Sequence, residues 1–202
     1  MQNRNVPKAT LQRYPVYLKA LRKLQKNGVE RIMSKELSSF VDIEPTTIRR
    51  DFSFLGNLGK QGYGYDVDKL IEIFNSQLGV DFDEKIILVG AGNLGRALMN
   101  YNKWNYVVGE IACAFDVDPK KCGTQFGVEV YPMSELENKI PEGCRIAILT
   151  ISHDVQETAD KLVQCGISGI VDFTHQHFLV PKGAVIKSID VVSSIQELVF
   201  IT

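Results

Sequence analysis

Histidine and cysteine are scarce in this chain, and neither is spaced for a metal site. Of the 202 residues, three are His and four are Cys. Cys113, Cys122, Cys144 and Cys165 form no CxxC pair, and three of them adjoin apolar runs, where a reduced thiol acts as a small hydrophobe. The stretch HQH would set His175 and His177 on one face of a strand, but no third ligand stands nearby in the sequence, so zinc is not expected. Long apolar runs are missing too. No uncharged stretch reaches the ~18 residues of a membrane span, and the opening MQNRNVPKATLQRYP is polar and basic, without the apolar segment of a secretory signal. A cytoplasmic protein with no membrane partner is expected. The chain also lacks low-complexity tracts and internal repeats, which excludes repeat arrays.

What is present is the composition of an ordinary globular protein, 45% hydrophobic and 23% charged. A chain of this length builds one good core or two modest ones, since domains run to ~100–150 residues. The formal net charge of −1 hides an asymmetry. Residues 1–80 carry 13 Lys and Arg against 8 Asp and Glu, and residues 81–202 carry 10 against 16. Seven of those cations, from Arg4 to Lys26, precede the first acid, Glu30. The first part therefore suits a polyanionic partner.

Four helices are expected in the basic part. Leu11, Tyr14, Leu18, Leu21 and Leu24 recur at helical spacing between Thr10 and Asn27, with Pro15 in an early turn or a kink and Gly28 as a stop. SKELSSFVD suits a second helix, with Ser34 as N-cap and Leu37, Phe40 and Val41 facing inward. Pro45 stands where a helix favours its first residue, so PTTIRRDFSFL makes a third, closed by Gly56. Its inner face is Ile48, Phe52 and Leu55. Thr46, Thr47, Arg49, Arg50 and Ser53 take the remainder, which is the layout of a helix-turn-helix whose last helix enters a major groove. Arginine fits that task because its planar fork bonds two acceptors of guanine at once. A small helical bundle with a solvated charged face is the alternative for this segment alone. The glycine-rich GNLGKQGYGYDV that follows, with Lys60 and Tyr63, suits a tight hairpin that would make the fold a winged helix. Asp66 would cap a fourth helix packed through Leu70, Ile71, Phe74 and Leu78, and Gly79 with VDFDE reads as a linker.

The second part opens on KIILVGAGNLGRALMNY, a buried strand, a glycine turn and a helix. Gly90, Gly92 and Gly95, with Ala91, Asn93 and Leu94 between them, give GxGxxG. The first glycine permits the turn, the second leaves room for a pyrophosphate, and the third lets the helix pack on the strand. The next strand, EIACAFDVD, ends at Asp116. A carboxylate there accepts from both hydroxyls of the adenosine ribose and repels a 2′-phosphate, so NAD or NADH is expected over the phosphorylated forms. Asp118, and a plain turn role before Pro119, compete for this assignment. Strands at GVEVY, RIAILTI, GIVDF and AVIKSI alternate with helices at MSELENKI and VQETADKLVQCG, which gives an α/β fold with a doubly wound parallel sheet. Thr150, Ser152, His153 and Thr174 fall at the carboxyl edge, where a nicotinamide would lie. His153 lacks the orienting carboxylate and the closing second domain of a dehydrogenase, so it is read as pocket lining or as a polar residue at a helix start. The last segment, DVVSSIQELVFIT, is an amphipathic helix capped by Asp190, and it either covers its own sheet or docks on a second copy of the chain.

In their order, the motifs ATLQRYPVYLKAL, TTIRRDFS, GKQGYGYDV, VGAGNLGRAL, FDVDP, AILTI and IDVVSSIQEL resemble the Rex family of NADH/NAD-responsive transcriptional repressors, over essentially the whole chain. The resemblance implies a winged-helix domain at residues 1–80, a Rossmann domain binding NADH at 81–188, and a terminal helix at 189–202 swapped between subunits of a homodimer. It further implies an operator with an inverted repeat, phosphate binding at the GAGNLG turn, ribose binding at Asp116, groove reading by Arg49 and Arg50, and wing contacts from Lys60 and Tyr63. Tyr101 and Asp190 match positions that respond to the nicotinamide, and Lys19 stands where a basic residue would meet the tail carboxylate. ISHDV and DFTHQH depart from the proline and the NFAP of many relatives, both beside the nicotinamide pocket. Two other readings remain: a small NAD-dependent oxidoreductase with a helical extension, and a repressor that senses another nucleotide-like metabolite.

Overall fold

The computed structural model describes residues 6–56, 58–60, 63–78, 84–102 and 109–202. The chain divides into two compact units, Met1–Asp81 and Phe82–Thr202. The linker expected at residues 79–84 falls, apart from Glu84, outside the described residues, as do Asn57, Gln61 and Gly62 of the expected wing and the side chains of Lys60 and Leu78.

The first unit begins with α1 (Lys8–Lys26), which buries Thr10, Tyr14, Tyr17, Leu18, Leu21 and Leu24. The inner face is therefore not the expected leucine stripe at its start. Leu11 is exposed, and Thr10 and Tyr17 point inward because their hydroxyls serve a buried acid. Pro15 lies inside the helix rather than in an early turn. It has no N–H for the Leu11 carbonyl, and both residues lie on an exposed face, open to solvent.

β1 (Arg31–Ile32) leads into α2 (Ser34–Val41). Ser34 is the first helical residue, not the cap. Met33 holds the cap position and its N–H donates to the Glu36 carboxylate at 2.8 Å. With Ser34 and Leu37 buried, Phe40 falls on the outer face and is exposed. The chain reverses through Asp42 in a left-handed conformation, φ 52°, and enters α3 (Pro45–Ser53), which buries Ile48, Asp51 and Phe52. This helix ends before the expected Leu55, and the chain turns at Gly56, φ 103°. β2 (Gly59–Lys60), β3 (Gly64–Asp66) and α4 (Val67–Leu78) complete the unit, with the Asp66 carboxylate accepting the Lys69 N–H at 3.0 Å. The strands form an antiparallel sheet in the order β1-β3-β2, so the wing contains a strand that two residues gave no periodicity to reveal. Tyr17, Phe52 and Phe74 pack edge to face at the centre, with ring separations of 5.2 Å and 5.6 Å for the Tyr17–Phe52 and Phe52–Phe74 pairs.

Asp51, fully buried, ties α3 to α1. Its carboxylate accepts from Thr10 Oγ1 at 2.9 Å, Tyr17 Oη at 2.7 Å and the Arg13 guanidinium at 2.6 and 2.7 Å.

The second unit is a seven-stranded sheet. Its elements are β4 (Glu84–Val89), α5 (Asn93–Asn100), β5 (Gly109–Asp116), a 3₁₀ turn at Pro119–Lys121, β6 (Gly123–Gln125), β7 (Val128–Pro132), a second 3₁₀ turn at Met133–Glu135, α6 (Leu136–Lys139), β8 (Ile146–Leu149), α7 (Val155–Gln164), β9 (Gly169–Asp172), β10 (Val185–Ser188) and α8 (Val191–Ile201). The strand order is β10-β9-β8-β4-β5-β7-β6. All pairs are parallel except β6 with β7, a short hairpin turned by Phe126 and Gly127 that the sequence did not signal. β4 explains its own composition: Ile87 and Val89 enter one core, Ile86 and Leu88 the core on the opposite face. Strand order reverses between β4 and β8, and a ligand crevice opens outside the carboxyl ends at such a point.

α8 does not cover its own sheet. None of its residues is buried, and Ile195, Leu198 and Phe200 are 56%, 56% and 89% exposed. Asp190 caps it, accepting from Ser193 N–H at 2.9 Å.

Desolvation pushes the Asp51 carboxyl up, but hydrogen bonds from Arg13, Tyr17 and Thr10 outweigh it and hold the acid below its ordinary range. A depressed carboxylate adds stability that is present above its unfolded value and lost as pH falls through the folded value. Thermal unfolding followed from pH 7 to pH 2 should therefore show the first unit losing stability below about pH 4. Asp51→Asn should lower its stability at pH 7 by about 3 kcal/mol and flatten this acid limb.

Candidate nucleotide cleft and nucleic-acid face

The glycine turn is built by contacts that tolerate no side chain at two positions and leave space at the third. Gly90 has φ 105°, and a Cβ there would lie 2.9 Å from the Thr150 carbonyl. A Cβ on Gly95 would overlap the Gly90 carbonyl oxygen, so the start of α5 rests directly on the turn. A Cβ on Gly92 would meet nothing within 4 Å. That is the fit expected for a dinucleotide: α5 offers the N–H groups of its first turn, Asn93 and Leu94 included, beside room for a phosphate pair. Thr150, at the end of β8, donates its hydroxyl to the Gly90 carbonyl at 2.7 Å and helps fix the turn.

Asp116 ends β5, buried, and fastens the same turn from the other side. Its Oδ2 accepts the Ala91 N–H at 2.7 Å, its Oδ1 accepts the Asp118 N–H at 2.8 Å, and Lys121 Nζ straddles both oxygens at 3.3 and 3.2 Å. Asp118 instead caps the 3₁₀ turn, accepting from Lys120 N–H at 3.0 Å. Between the turn and the β6–β7 hairpin lies an open cleft of about 400 Å³. Gly92, Asn93, Arg96, Lys120, Lys121 and Phe126 line it. The Arg96 guanidinium sits 6.0 Å from the centre of the Phe126 ring. Sequence reading found the glycines and Asp116 but not this cationic wall. The pair of lysines directly after FDVDP was the available signal.

At the nicotinamide edge, Thr174 is buried and donates to Asp172 at 2.7 Å, so its hydroxyl is already engaged, while Ser152 and His153 are exposed. Tyr101 follows α5 and is 64% exposed. Asp190 lies 3.7 Å from His175 Nδ1. Hydrogen bonds from Ser193 chiefly hold its carboxyl below the ordinary range. Among the described residues no group of three His, Cys, Asp or Glu converges on one point. Burial, with Cys144 alongside, pushes the Cys113 thiol up to about 12, which keeps it protonated and inert.

In the first unit, Thr46, Arg49 and Arg50 are exposed and Thr47 half-buried along α3. Arg49 Nη1 donates to Ser34 Oγ at 3.0 Å, which steadies one arginine against α2. In the wing, Tyr63 is 70% exposed. Arg31 donates to its carbonyl at 3.2 Å and lies 5.7 Å from its ring centre, a contact the sequence did not suggest. Lys60 lies in β2, paired with Gly64. Lys19 is exposed on α1.

A winged helix joined to a Rossmann unit with an open glycine turn defines a class: transcription regulators that carry their own nucleotide-binding fold. Residues 5–53 match the family described as "Putative DNA-binding protein N-terminus", and residues 81–176 match the "CoA binding domain" family. The chain is 45% identical to the redox-sensing transcriptional repressor Rex of Geobacillus sp. (strain WCH70), covering 96% of this chain and 92% of that one. It is 44% identical to Rex of Leuconostoc citreum (strain KM20), covering 98% and 94%. Among solved structures it is similar to RSP in complex with β-NAD⁺ and operator DNA, with TM-score 0.87 and 34% identity over 96% of this chain and 91% of that one. RSP in complex with β-NADH gives TM-score 0.83 and 32% identity over 97% and 93%. The chain belongs to the Rex family of redox-sensing transcriptional repressors. These relatives carry the names of repressors, not of enzymes, and no helix among the described residues is long and apolar enough to cross a membrane.

The glycine contacts give a direct test by thermal unfolding. Gly95→Ala should destabilise the second unit by about 2 kcal/mol, because backbone must move to admit the methyl group. Gly92→Ala, with its ordinary φ and open surroundings, should change stability by less than about 1 kcal/mol.

Proposed function

We propose that the chain acts as a homodimer that holds an inverted-repeat operator while its clefts carry NAD or nothing, and lets go when they take NADH. The reading rests on one observation: RSP, which this chain matches across both units, is described both with operator DNA and β-NAD⁺ and with β-NADH. The dimer would present two copies of α3 to successive major grooves, with Arg49 and Arg50 at base edges, Thr46 and Thr47 near the helix start, and Lys60 and Tyr63 on the flanking backbone. α8, apolar and uncovered, is the segment offered to the second copy.

In the cleft, the GAGNLG turn would take the pyrophosphate on backbone N–H groups and Asp116 would face the adenosine ribose. Reduced and oxidised nicotinamide differ by one positive charge. An apolar, closed seat for the ring would disfavour the charged form by desolvation. Tyr101 and Asp190 would respond to that ring, and Lys19 would be the alternative partner of Asp190 in the other arrangement of the dimer. A ligand moves such an equilibrium only by its differential affinity for the two arrangements, and a hundredfold preference supplies about 2.7 kcal/mol.

Titration of NADH, NAD and NADPH into the protein–operator complex tests the reading: NADH should release the DNA at the lowest concentration, and retention unchanged by all three would sink it. Operator affinity should fall steeply with salt, as phosphate contacts require. Arg50→Ala should weaken operator binding by about 10- to 100-fold. Gly92→Ala should weaken NADH binding at least about tenfold through crowding of the pyrophosphate, with the fold intact.

A further inference from the structure

We infer that Lys121 sets how the cleft treats a phosphate on the adenosine ribose, tempering the rejection that Asp116 alone would impose. The inference rests on the reading of this cleft as a dinucleotide site.

The sequence gives Asp116 a simple role, accepting ribose hydroxyls and repelling a 2′-phosphate. The structure places that carboxylate differently. Each oxygen already holds one backbone N–H, from Ala91 and from Asp118, and the ammonium of Lys121 straddles the remaining side at 3.2 and 3.3 Å. A vicinal diol would need that same straddling seat. Asp116 is 4% exposed at its side chain and does not line the cleft, while Lys121 is 40% exposed and does. Arg96 and Lys120 line it as well, and none of the lining residues is acidic.

An incoming ribose therefore meets a cation first and the carboxylate behind it. The Lys121–Asp116 pair carries no net charge, and a half-exposed lysine on a flexible stem costs little to move aside. When a diol takes its seat, the ammonium stays within reach of the 2′ position, where a phosphate would be attracted rather than repelled. Without Lys121, Asp116 would face the same phosphate unscreened.

The measurement is the ratio of NADPH to NADH dissociation constants, obtained for each variant by nucleotide titration of the full-length protein. This ratio does not depend on the fraction of folded protein. Lys121→Met should raise it by about tenfold, the effect of one removed unit charge at close range. Lys121→Arg should keep it within about twofold of the unsubstituted protein. On the unsubstituted protein, raising salt from about 50 to 500 mM should weaken NADPH more steeply than NADH, because attraction to the cationic wall is being screened. A ratio that is unchanged or lower in Lys121→Met, or salt that favours NADPH, overturns the inference while NADH binding itself stands. Failure of the unsubstituted protein to bind either nucleotide overturns the reading of the cleft along with it.

Discussion

The turn after β4 keeps its shape only while residue 95 carries no side chain and the Asp116 carboxylate stays fastened to the backbone at Ala91. The first condition lets α5 lie against the Gly90 carbonyl. The second joins the turn to the end of β5. Three consecutive elements, β4, α5 and β5, are thereby fixed at one point, on the carboxyl edge where strand order reverses. The room at Gly92 and the cations around it follow from this clamp. Had Gly95 a methyl group, the helix would have to withdraw, and its first N–H groups would no longer converge on the cleft.

The first unit is organised around a comparable device. Asp51 is buried and receives donors from three residues of α1, which fixes the rotation of α3 about its axis. With Ile48, Asp51 and Phe52 turned inward, Arg49 and Arg50 have only the outer face left. A buried, paired charge contributes little net stability compared with an apolar replacement, but it is expensive to leave half-made, so it selects one arrangement over near alternatives. In both units a buried carboxylate with satisfied partners holds an exposed cationic face in place. Asp51 is buried beneath the outer face of α3, and Asp116 sits behind the lysine that lines the cleft.

Much of this was legible from residue order. The helix spacing of Tyr14, Leu18, Leu21 and Leu24, Pro45 at a helix start, the run KIILV before GAGNLG, and Asp190 as a cap all depend on neighbours a few residues away, and local physics suffices to read them. What escaped had long-range causes. Thr10 and Tyr17 face inward because of an acid some 34 to 41 positions later, so a pattern of leucines alone placed Leu11 inside and left these two hydroxyls out. β1 and β6 are too short to carry a period. Arg31 beside Tyr63 and Arg96 beside Phe126 join residues 30 or so apart, and nothing in either neighbourhood announces the other.

By itself the sequence determined the two kinds of unit, the order of their elements, the glycine turn and the pair of arginines on the third helix of the first unit. These depend on hydrophobic period and on backbone freedom, which are properties of short stretches. Tertiary structure alone decided which groups surround the buried acids. It also decided that a lysine stands between Asp116 and the cleft, and that α8 leaves its apolar side chains uncovered. The physical reason is that charge pairing and burial are set by distance in space, and folding brings together side chains that the chain itself keeps far apart.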